Sequence, residues 1–462
     1  MTSLPKTKKR VTSSRKPPLF FYNTLTRRLE PFVPLRNGEV SFYSCGPTVY
    51  DFAHIGNFRT NITVDTIRRI FEYAGYRVTH VMNITDVGHL TSDADTGEDK
   101  LEVGAKREKK SAWDIAEFYT KAFLQDLDRL NILRPHKMPR ATDHIKEMIE
   151  LISTLEKNGF IYRIEDGLYF DTSKLSAYGR LARKAGLKAG ARVEMVKGKK
   201  NLTDFALWKF STAGEKRQME WDSPWGRGFP GWHIECSAMS MKYLGETFDV
   251  HSGGEDLIPI HHENEIAQSE AATGKPFVRY WIHGYFMLVD GEKMSKSKGN
   301  LYTVQDLINR GFDPLAYRYL CLQAHYRTQM NFTWESLEAA QRALAAIRAL
   351  GARDTNPLPN DRVRKEVETA FYHDLDTPRA LALLHEANSF ALWKHFDSVL
   401  GLGLVTESVT ITNDQQDLVD RREHARRQEK FQEADRLRDE LEKQGIFIED
   451  TPAGPRLVKR QG

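Results

Sequence analysis

Three stretches decide how the chain folds: Val40-Ser-Phe-Tyr-Ser-Cys-Gly46, the segment 57–73, and Tyr76-Arg-Val-Thr-His-Val-Met-Asn-Ile-Thr85. The first is rich in β-branched and aromatic residues and stops at a glycine, which predicts a strand followed by a turn. In the second, Ile62, Val64, Ile67, Ile70 and Phe71 recur at helical spacing. The third is another apolar strand. Strand, helix and strand at these lengths predict a βαβ unit, hence a parallel sheet with a right-handed crossover.

Outward from this unit the texture changes several times. Residues 1–18 are basic, polar and aperiodic, which predicts a disordered arm. Amphipathic helices are expected over 112–131 and 139–158. Between 159 and 227 the pattern breaks into short strands and turns rich in Gly and Lys. The α/β texture then resumes with a strand at 247–251, a turn at 252–256, a helix over 261–272 closed by Gly274, and a strand at 277–289. From Pro314 to about 404 the chain is helical, for instance over 338–350 and 377–396. It ends in a charged helical pair and a turn-rich stretch, 445–460. The expected domain plan is an α/β unit of 19–135 and 225–313 interrupted by an insertion at 136–224, a helical domain at 314–405, and a small final unit at 406–462.

A chain of 462 residues with 40% hydrophobic and 28% charged side chains can bury two to four cores. No apolar run approaches the roughly 20 residues that span a bilayer, and the first residues lack the apolar stretch of a secretory signal. Only three cysteines occur, Cys45, Cys236 and Cys321, which excludes a disulfide scaffold and suits a reducing compartment. A cytoplasmic protein is expected. The net charge of +4 is mild, but basic residues gather in the first 16 positions, at 188–200 and at 421–438. Such patches can neutralise phosphates.

Three constellations carry chemistry. His54-Ile-Gly-Asn57 stands between the first strand and its helix. A helix start offers unpaired N–H groups and a positive dipole end, Gly56 lets a ligand approach the backbone, and His54 and Asn57 offer hydrogen bonds to phosphate oxygens. Lys293-Met-Ser-Lys296-Ser297, continuing as Lys298-Gly-Asn300, is a cationic loop after a strand, suited to charge developing on a phosphate. Third, Cys45 ends the first strand, Cys236 lies in Pro230-Gly-Trp-His-Ile-Glu-Cys-Ser237, and His261 and Glu265 share a helix face at i and i+4. Two thiolates, an imidazole and a carboxylate make a tetrahedral zinc set. His262 competes with His261, but a helix turns it about 100° away, so it shares a face with Glu265 less well. Cys321, inside its helix, reads as a buried small hydrophobe.

The first two constellations resemble, in order and setting, the two signature sequences of class I aminoacyl-tRNA synthetases, with Asn57 where a second histidine is frequent. The blocks Tyr43-Ser-Cys-Gly-Pro-Thr-Val-Tyr-Asp51, Asn83-Ile-Thr-Asp86, Gly231-Trp-His-Ile-Glu-Cys-Ser-Ala-Met239 and His261-His-Glu-Asn-Glu-Ile-Ala-Gln268 resemble the cysteinyl-tRNA synthetase family. The likeness runs from about Leu19 to the end. It implies a Rossmann-type parallel-sheet catalytic domain with an insertion, a helical bundle domain and a small anticodon-binding subdomain. It further implies zinc held by Cys45, Cys236, His261 and Glu265 and bound directly by the substrate thiolate, with Thr85 and Trp232 around the amino acid. Ser252-Gly-Gly254-Glu-Asp256 resembles the turn that holds adenosine, with Asp256 toward the ribose. Lys296 is then the main ATP contact among the loop lysines, Lys293 its helper, and Mg²⁺ accompanies the triphosphate. At the end of the chain Arg426, Phe431, Asp435 and Asp450 fall at positions associated with anticodon bases, Phe431 in place of a frequent tryptophan. ATP, L-cysteine and tRNA(Cys) are the implied partners, no membrane is involved, and a monomer is expected.

Three other readings compete. A ligase of the same superfamily joins cysteine to an amino-sugar inositol but lacks the anticodon-reading end. A tRNA-binding paralogue without ligase activity would lack a zinc ligand or a loop lysine. A generic nucleotide-binding protein would not need four cooperating metal positions. After Asp86 the chain reads Val87-Gly88-His89, where acidic and lysine-rich versions are also familiar in the family.

Overall fold

The βαβ unit forms as its pattern requires: β1 (Glu39–Ser44) and β2 (Arg77–Met82) run parallel, joined by α1 (Ile55–Tyr73). Much later in the chain α2 (Trp232–Leu244), β3 (Phe248–Gly254), α3 (Glu263–Thr273) and β4 (Val278–Gly284) follow. The four strands form one parallel sheet in the order β4-β3-β1-β2. The chain therefore starts in the middle of the sheet, leaves to one side and returns on the other. Between β1 and β3 the direction of winding reverses, and open α/β sheets bind ligands at the carboxyl ends of strands around such a point. The computed structural model describes residues 18–87, 100–183, 196–211, 217–295, 298–351, 358, 361–404, 411–428, 430–451 and 454–459. The basic arm at 1–17, the segment after Val87, Lys296 and most of the 188–200 patch lie outside them.

Between β2 and α2 come the helices Lys100–Glu108, Ala112–Arg129 and Ile145–Lys157 and an antiparallel sheet of Ile161–Ile164, Gly167–Phe170, Phe205–Phe210 and Gly228–Pro230. The last of these strands runs through Gly231 directly into α2, and Leu168, Phe205 and Trp208 of this sheet share a core with Ile234 and Ala238 of α2. Beyond β4, the helices Pro314–Leu322, Trp334–Gly351, Asp361–Tyr372, Thr377–Ala387 and Phe390–Leu400 pack together. The helices Asn413–Arg427 and Phe431–Lys443 and the hairpin Ile446–Thr451/Gly454–Lys459 close a separate small core around Leu418, Val419, Leu437 and Leu441. Among the described residues no helix is long and apolar enough to cross a membrane.

Helix α1 is buried on almost every side, because the sheet covers one face and helices Pro314–Leu322 and Phe390–Leu400 cover another. Its charged residues must then be partnered, since an unpaired buried charge is costly. Asp65 accepts from Arg69 Nε at 2.7 Å, Arg318 Nη2 at 2.5 Å and the Leu133 amide at 2.9 Å. Arg318 Nε donates in turn to the Leu400 carbonyl at 2.6 Å. The knot ties the helix that starts at His54 to the helical part of the chain.

Several elements differ from the sequence pattern. The stretch 252–256 is not all turn: β3 continues through Gly254 and only then tightens into a 3₁₀ turn, because Ser252 to Gly254 find parallel partners in Ile282 to Gly284. The expected strand at 277–289 is two strands in two sheets, β4 and Met287–Val289, the latter pairing with Met330–Phe332. The expected helix at 377–396 is broken where Asn388 takes a left-handed conformation, φ 44°, which caps the first helix. Of the expected helix at 139–158, only 145–157 is α-helical, because Ile84 pairs with Arg140 at the end of β2 and 142–144 then form a 3₁₀ turn.

His80 on β2 lies in the core, stacked on Phe42 and bonded through Nε2 to Ser44 Oγ at 2.9 Å. Burial pushes its pKa from 6.5 down to about 3. The unfolded chain therefore takes up a proton below about pH 6.5 that the folded chain refuses, and stability falls as pH drops through this window. His80→Gln is expected to make the slope of unfolding free energy against pH, between 6 and 4, shallower by about 1.4 kcal/mol per unit. Urea titrations at several pH values check this, and identical slopes would refute it.

Candidate active site

The carboxyl ends of β1, β2 and β3 converge. Gly46, just past β1, lies so close to the turn after β2 that a Cβ there would sit 1.6 Å from the Asn83 carbonyl oxygen. Its amide donates to Asn83 Oδ1 at 2.9 Å, and Val49 and Thr85 exchange further backbone bonds with the facing loop. Cys45, between strand and glycine, donates its amide to the Ser252 carbonyl on β3 at 3.3 Å. Glycine at 46 thus sets the spacing that lets Cys45 look toward α2 and α3.

There it meets the other predicted ligands. The donor atoms of Cys45, Cys236, His261 and Glu265 all lie within 4.8 Å of one another. The edges of a zinc tetrahedron with sulfur and nitrogen ligands measure roughly 3.3–3.8 Å, so the set is suitably sized. Glu265 Oε1 is 3.0 Å from His261 Nε2. Its other oxygen is held by His251 Nε2 at 2.9 Å, and His261 Nδ1 meets His233 Nδ1 at 3.0 Å. All but Cys45 are buried to within a few per cent.

His262 is also brought in. Residues 258–262 form a π turn that runs into α3, and its wider spiral reduces the rotation per residue that the regular-helix argument assumed. His262 Nε2 lies 3.2 Å from Cys45 Sγ and 3.9 Å from Glu265 Oε1. Cys45, His251, His262 and Glu265 accordingly make a second group within the same 4.8 Å limit. Sequence reasoning passed over His233, His251 and His283. The signal was there: five of the chain's 15 histidines fall between 233 and 283. Only the fold shows that His251, His261 and His262 meet at Glu265, with His233 and His283 behind His261 and His262.

The electrostatics describe a site built for positive charge. Burial would lower His261, but Glu265 and Cys236 beside it raise it to about 10. Burial would raise Glu265, yet His251 and His261 bring it down to about 2. Cys45 is pushed up by burial and by its neighbour Cys236, whereas the hydrogen bond from Cys45 pulls Cys236 down. These shifts all follow from a carboxylate and two thiols crowded beside His261, an arrangement that favours positive charge among them.

Cys45 also lines a cavity of about 820 Å³ that runs past His54, Asn57, Gly254, Asp256, Met294 and Gly299. His54 and Asn57 cap α1 reciprocally: the Asn57 amide donates to His54 Nδ1 at 3.3 Å, and the His54 amide donates to Asn57 Oδ1 at 3.0 Å. This leaves His54 Nε2 to carry the ring proton, and burial keeps the ring neutral by lowering its pKa. The amide side of Asn57 remains as a second donor. Gly56 is pressed under the cationic loop, since a Cβ there would lie 2.1 Å from the Met294 methyl. That loop is tied to the same helix start by the bond from the Ile55 amide to the Tyr302 carbonyl, 2.8 Å. Asp256 is exposed at the cavity edge, its carboxylate beside Gly254. Lys293 is exposed on the short strand Glu292–Lys293, its Nζ 5.6 Å from the Phe286 ring centre.

Thr85 and Trp232 sit on either side of the metal group. The Thr85 hydroxyl donates to Glu235 Oε2 at 3.0 Å and accepts from Asn83 Nδ2 at 2.9 Å. The Trp232 ring lies 4.3 Å from that of His261. Far from all of these, Phe431 is 62% exposed at the start of its helix, and Arg426 and Asp435 are exposed nearby. Asp450 is on the strand Ile446–Thr451. Cys321 is buried in its helix, as expected.

Known proteins resemble this chain over nearly all its length. The sequence model of the class I (C) tRNA synthetase catalytic domain matches residues 31–342, and that of the cysteinyl-tRNA ligase anticodon binding domain matches 410–455. Cysteine–tRNA ligase 1 of Burkholderia lata is 53% identical across 95% of this chain and 97% of its own length. The cysteine–tRNA ligase of Treponema denticola is 43% identical across 94% and 98%. Among solved structures, a methionyl-tRNA synthetase of Mycobacterium tuberculosis in complex with methionyl-adenylate aligns with TM-score 0.57 at 16% identity, over 79% of this chain and 88% of that one. That likeness is one of fold.

Gly46→Ala is expected to force the ends of β1 and β2 apart and pull Cys45 from its partners. Overpacking costs about 1–3 kcal/mol, so zinc affinity should fall by roughly tenfold or more in protein whose circular dichroism is unchanged. Competition with a chromophoric chelator measures it; parent-like affinity would show that the spacing is not needed.

Proposed function

The chain belongs to the cysteine–tRNA ligases of the class I aminoacyl-tRNA synthetases, and on that premise we propose that it activates L-cysteine with ATP and transfers it to the 3′ end of tRNA(Cys). The observation that carries this reading is that a sulfur, nitrogen and oxygen donor set opens, through Cys45, into a cavity whose far wall carries His54, Asn57, Gly254 and Asp256.

Cys45, Cys236, His261 and Glu265 would hold one zinc ion. Bound there, zinc supplies a further coordination place that takes a thiolate far better than a hydroxyl, separating cysteine from serine where shape alone cannot. His261 is preferred to His262 because it completes a set with both thiols. Trp232 stands over His261 as a wall for the amino acid, and Thr85, fixed by Glu235 and Asn83, keeps its place beside it. His54 and Asn57 donate to phosphate oxygens at the positive end of α1, with Gly56 leaving room for them. Gly254 and Asp256 receive the adenosine, Asp256 at a ribose hydroxyl. Lys293 and Lys296 neutralise charge on the reacting phosphate.

The cysteine carboxylate attacks the α-phosphorus in line, an oxygen–phosphorus bond forms, and pyrophosphate leaves with its Mg²⁺. The terminal ribose hydroxyl of the tRNA then attacks the activated carbonyl carbon and AMP departs. No side chain must take a proton in the first step, so positioning and electrostatics do the catalytic work. Arg426, Phe431, Asp435 and Asp450 would read the anticodon, with exposed Phe431 offering a face for base stacking. A cytoplasmic setting accords with three free cysteines. An amino-sugar inositol acceptor would use the same cavity but give residues 410–455 nothing to bind.

ATP–pyrophosphate exchange is expected with cysteine and not with serine, and Cys236→Ser should lower it by roughly a hundredfold or more together with zinc content. Exchange by zinc-free protein at the parent rate would refute the metal's role. Phe431→Ala is expected to raise KM for tRNA(Cys) by about tenfold, a typical worth of one stacked base, with exchange unaffected. Charging of tRNA(Cys) at the parent KM would remove Phe431 from the anticodon site.

A further inference from the structure

At the rim of the cavity two large aromatic rings face solvent where burial would be expected. Phe52, which lines the cavity, is 49% exposed, and Phe118 on helix Ala112–Arg129 is 44% exposed. Their ring centres are 5.9 Å apart, edge to face, and both lean on Tyr119, at 5.0 Å from Phe52 and 5.1 Å from Phe118. Tyr119 is buried and immobilised by the bond from its hydroxyl to Glu108 Oε1, 2.6 Å. The ledge is thus rigid underneath, and its two rings stay about half exposed with Lys110 over part of Phe118.

Its charged surroundings are mixed but basic on balance: Asp51 precedes Phe52 and Asp114 stands near Lys110, against a run of four cations. The sequence Lys106-Arg-Glu-Lys-Lys110 forms the end of helix Lys100–Glu108 and the turn after it, with Lys109 in a left-handed conformation, φ 55°. Lys110 Nζ lies 4.7 Å from the centre of the Phe118 ring. Glu108, the one acid in the run, is occupied by Arg107, Lys110 and Tyr119. Lys106 and Lys109 are exposed. Exposed aromatic faces set among lysines beside a ligand cavity are the physical form of a single-stranded nucleic-acid platform. The rings stack on bases of any identity, and the cations follow the backbone.

Resting on the ligase reading above, we propose that Phe52 and Phe118 form the ledge on which an unpaired base near the 3′ end of the acceptor RNA stacks, with Lys106, Lys109 and Lys110 on its phosphates. The ledge is continuous with the cavity through Phe52, Tyr119 and Phe123, so a strand resting on it enters the cavity from the side of β1. None of these residues belongs to the metal group or to the phosphate-binding helix start, and the ledge serves transfer rather than activation.

The test uses full-length zinc-loaded protein and tRNA(Cys) transcript. For Phe118→Ala, kcat/KM for aminoacylation is expected to fall ten- to hundredfold, while cysteine-dependent ATP–pyrophosphate exchange without RNA stays within twofold of the parent; Phe118→Trp restores charging. A transcript with 2-aminopurine at the penultimate position should lose fluorescence on binding the parent and much less on binding Phe118→Ala. Equal losses in exchange and charging would make Phe118 a support of the cavity and overturn the proposal. So would unchanged charging, or equal quenching by the two proteins. Absence of exchange in the parent would instead refute the ligase reading itself.

Discussion

Two thiols, a carboxylate and an imidazole lie within 4.8 Å of one another, all but Cys45 buried, and the buried carboxylate needs positive charge beside it. The fold provides for this in two layers. His251 and His233 lock the outer atoms of Glu265 and His261, so the remaining donor atoms point inward without reorganising. A cation bound there would supply the positive charge that this carboxylate and these thiols favour. The parallel sheet is arranged around this need, since β1 delivers Cys45, α2 delivers Cys236, and the π turn and α3 deliver the imidazole and the carboxylate.

The same sheet end must hold a nucleotide without disturbing the metal group, and the reversal of winding between β1 and β3 makes room for both. Gly46 draws the loops after β1 and β2 together on one side. On the other, β3 runs on through Gly254 into the turn that carries Asp256. Helix α1 begins in the space between them. Its first residues cap it through His54 and Asn57, and that cap also fixes the histidine tautomer, so one pair of side chains both ends the helix and presents donors. The buried Asp65–Arg318 pair then anchors the far half of α1 to the helical part of the chain, which fixes the helix start beside the cavity.

Much of this was legible in the residues. The βαβ unit followed from period and length, because a helix face and a strand face repeat differently and both repeats are long here. The nature of the metal ligands followed from chemistry, since few residue types bind zinc and the chain contains few cysteines. Less legible were places where distant partners overrule local pattern. The 252–254 stretch reads as a turn until β4 supplies hydrogen bonds, and the 377–396 helix looks unbroken until Asn388 leaves it. Lys296 and the side chain of Asp450 fall outside what the structure describes, so their roles rest on motif alone.

By itself the sequence determined the alternation of strands and helices and the order of the two signature loops, because these depend on residue type and short spacing; the choice of Cys45, Cys236, His261 and Glu265 as donors rested on likeness to the family, since the two cysteines lie far apart in the chain. The tertiary structure alone decided that Cys45 and His251 meet at Glu265 with His233 behind His261, and that Phe52 and Phe118 meet at the cavity rim. Most of these neighbours lie far apart in the chain, and nothing in short-range periodicity encodes a contact that exists only after the sheet has closed.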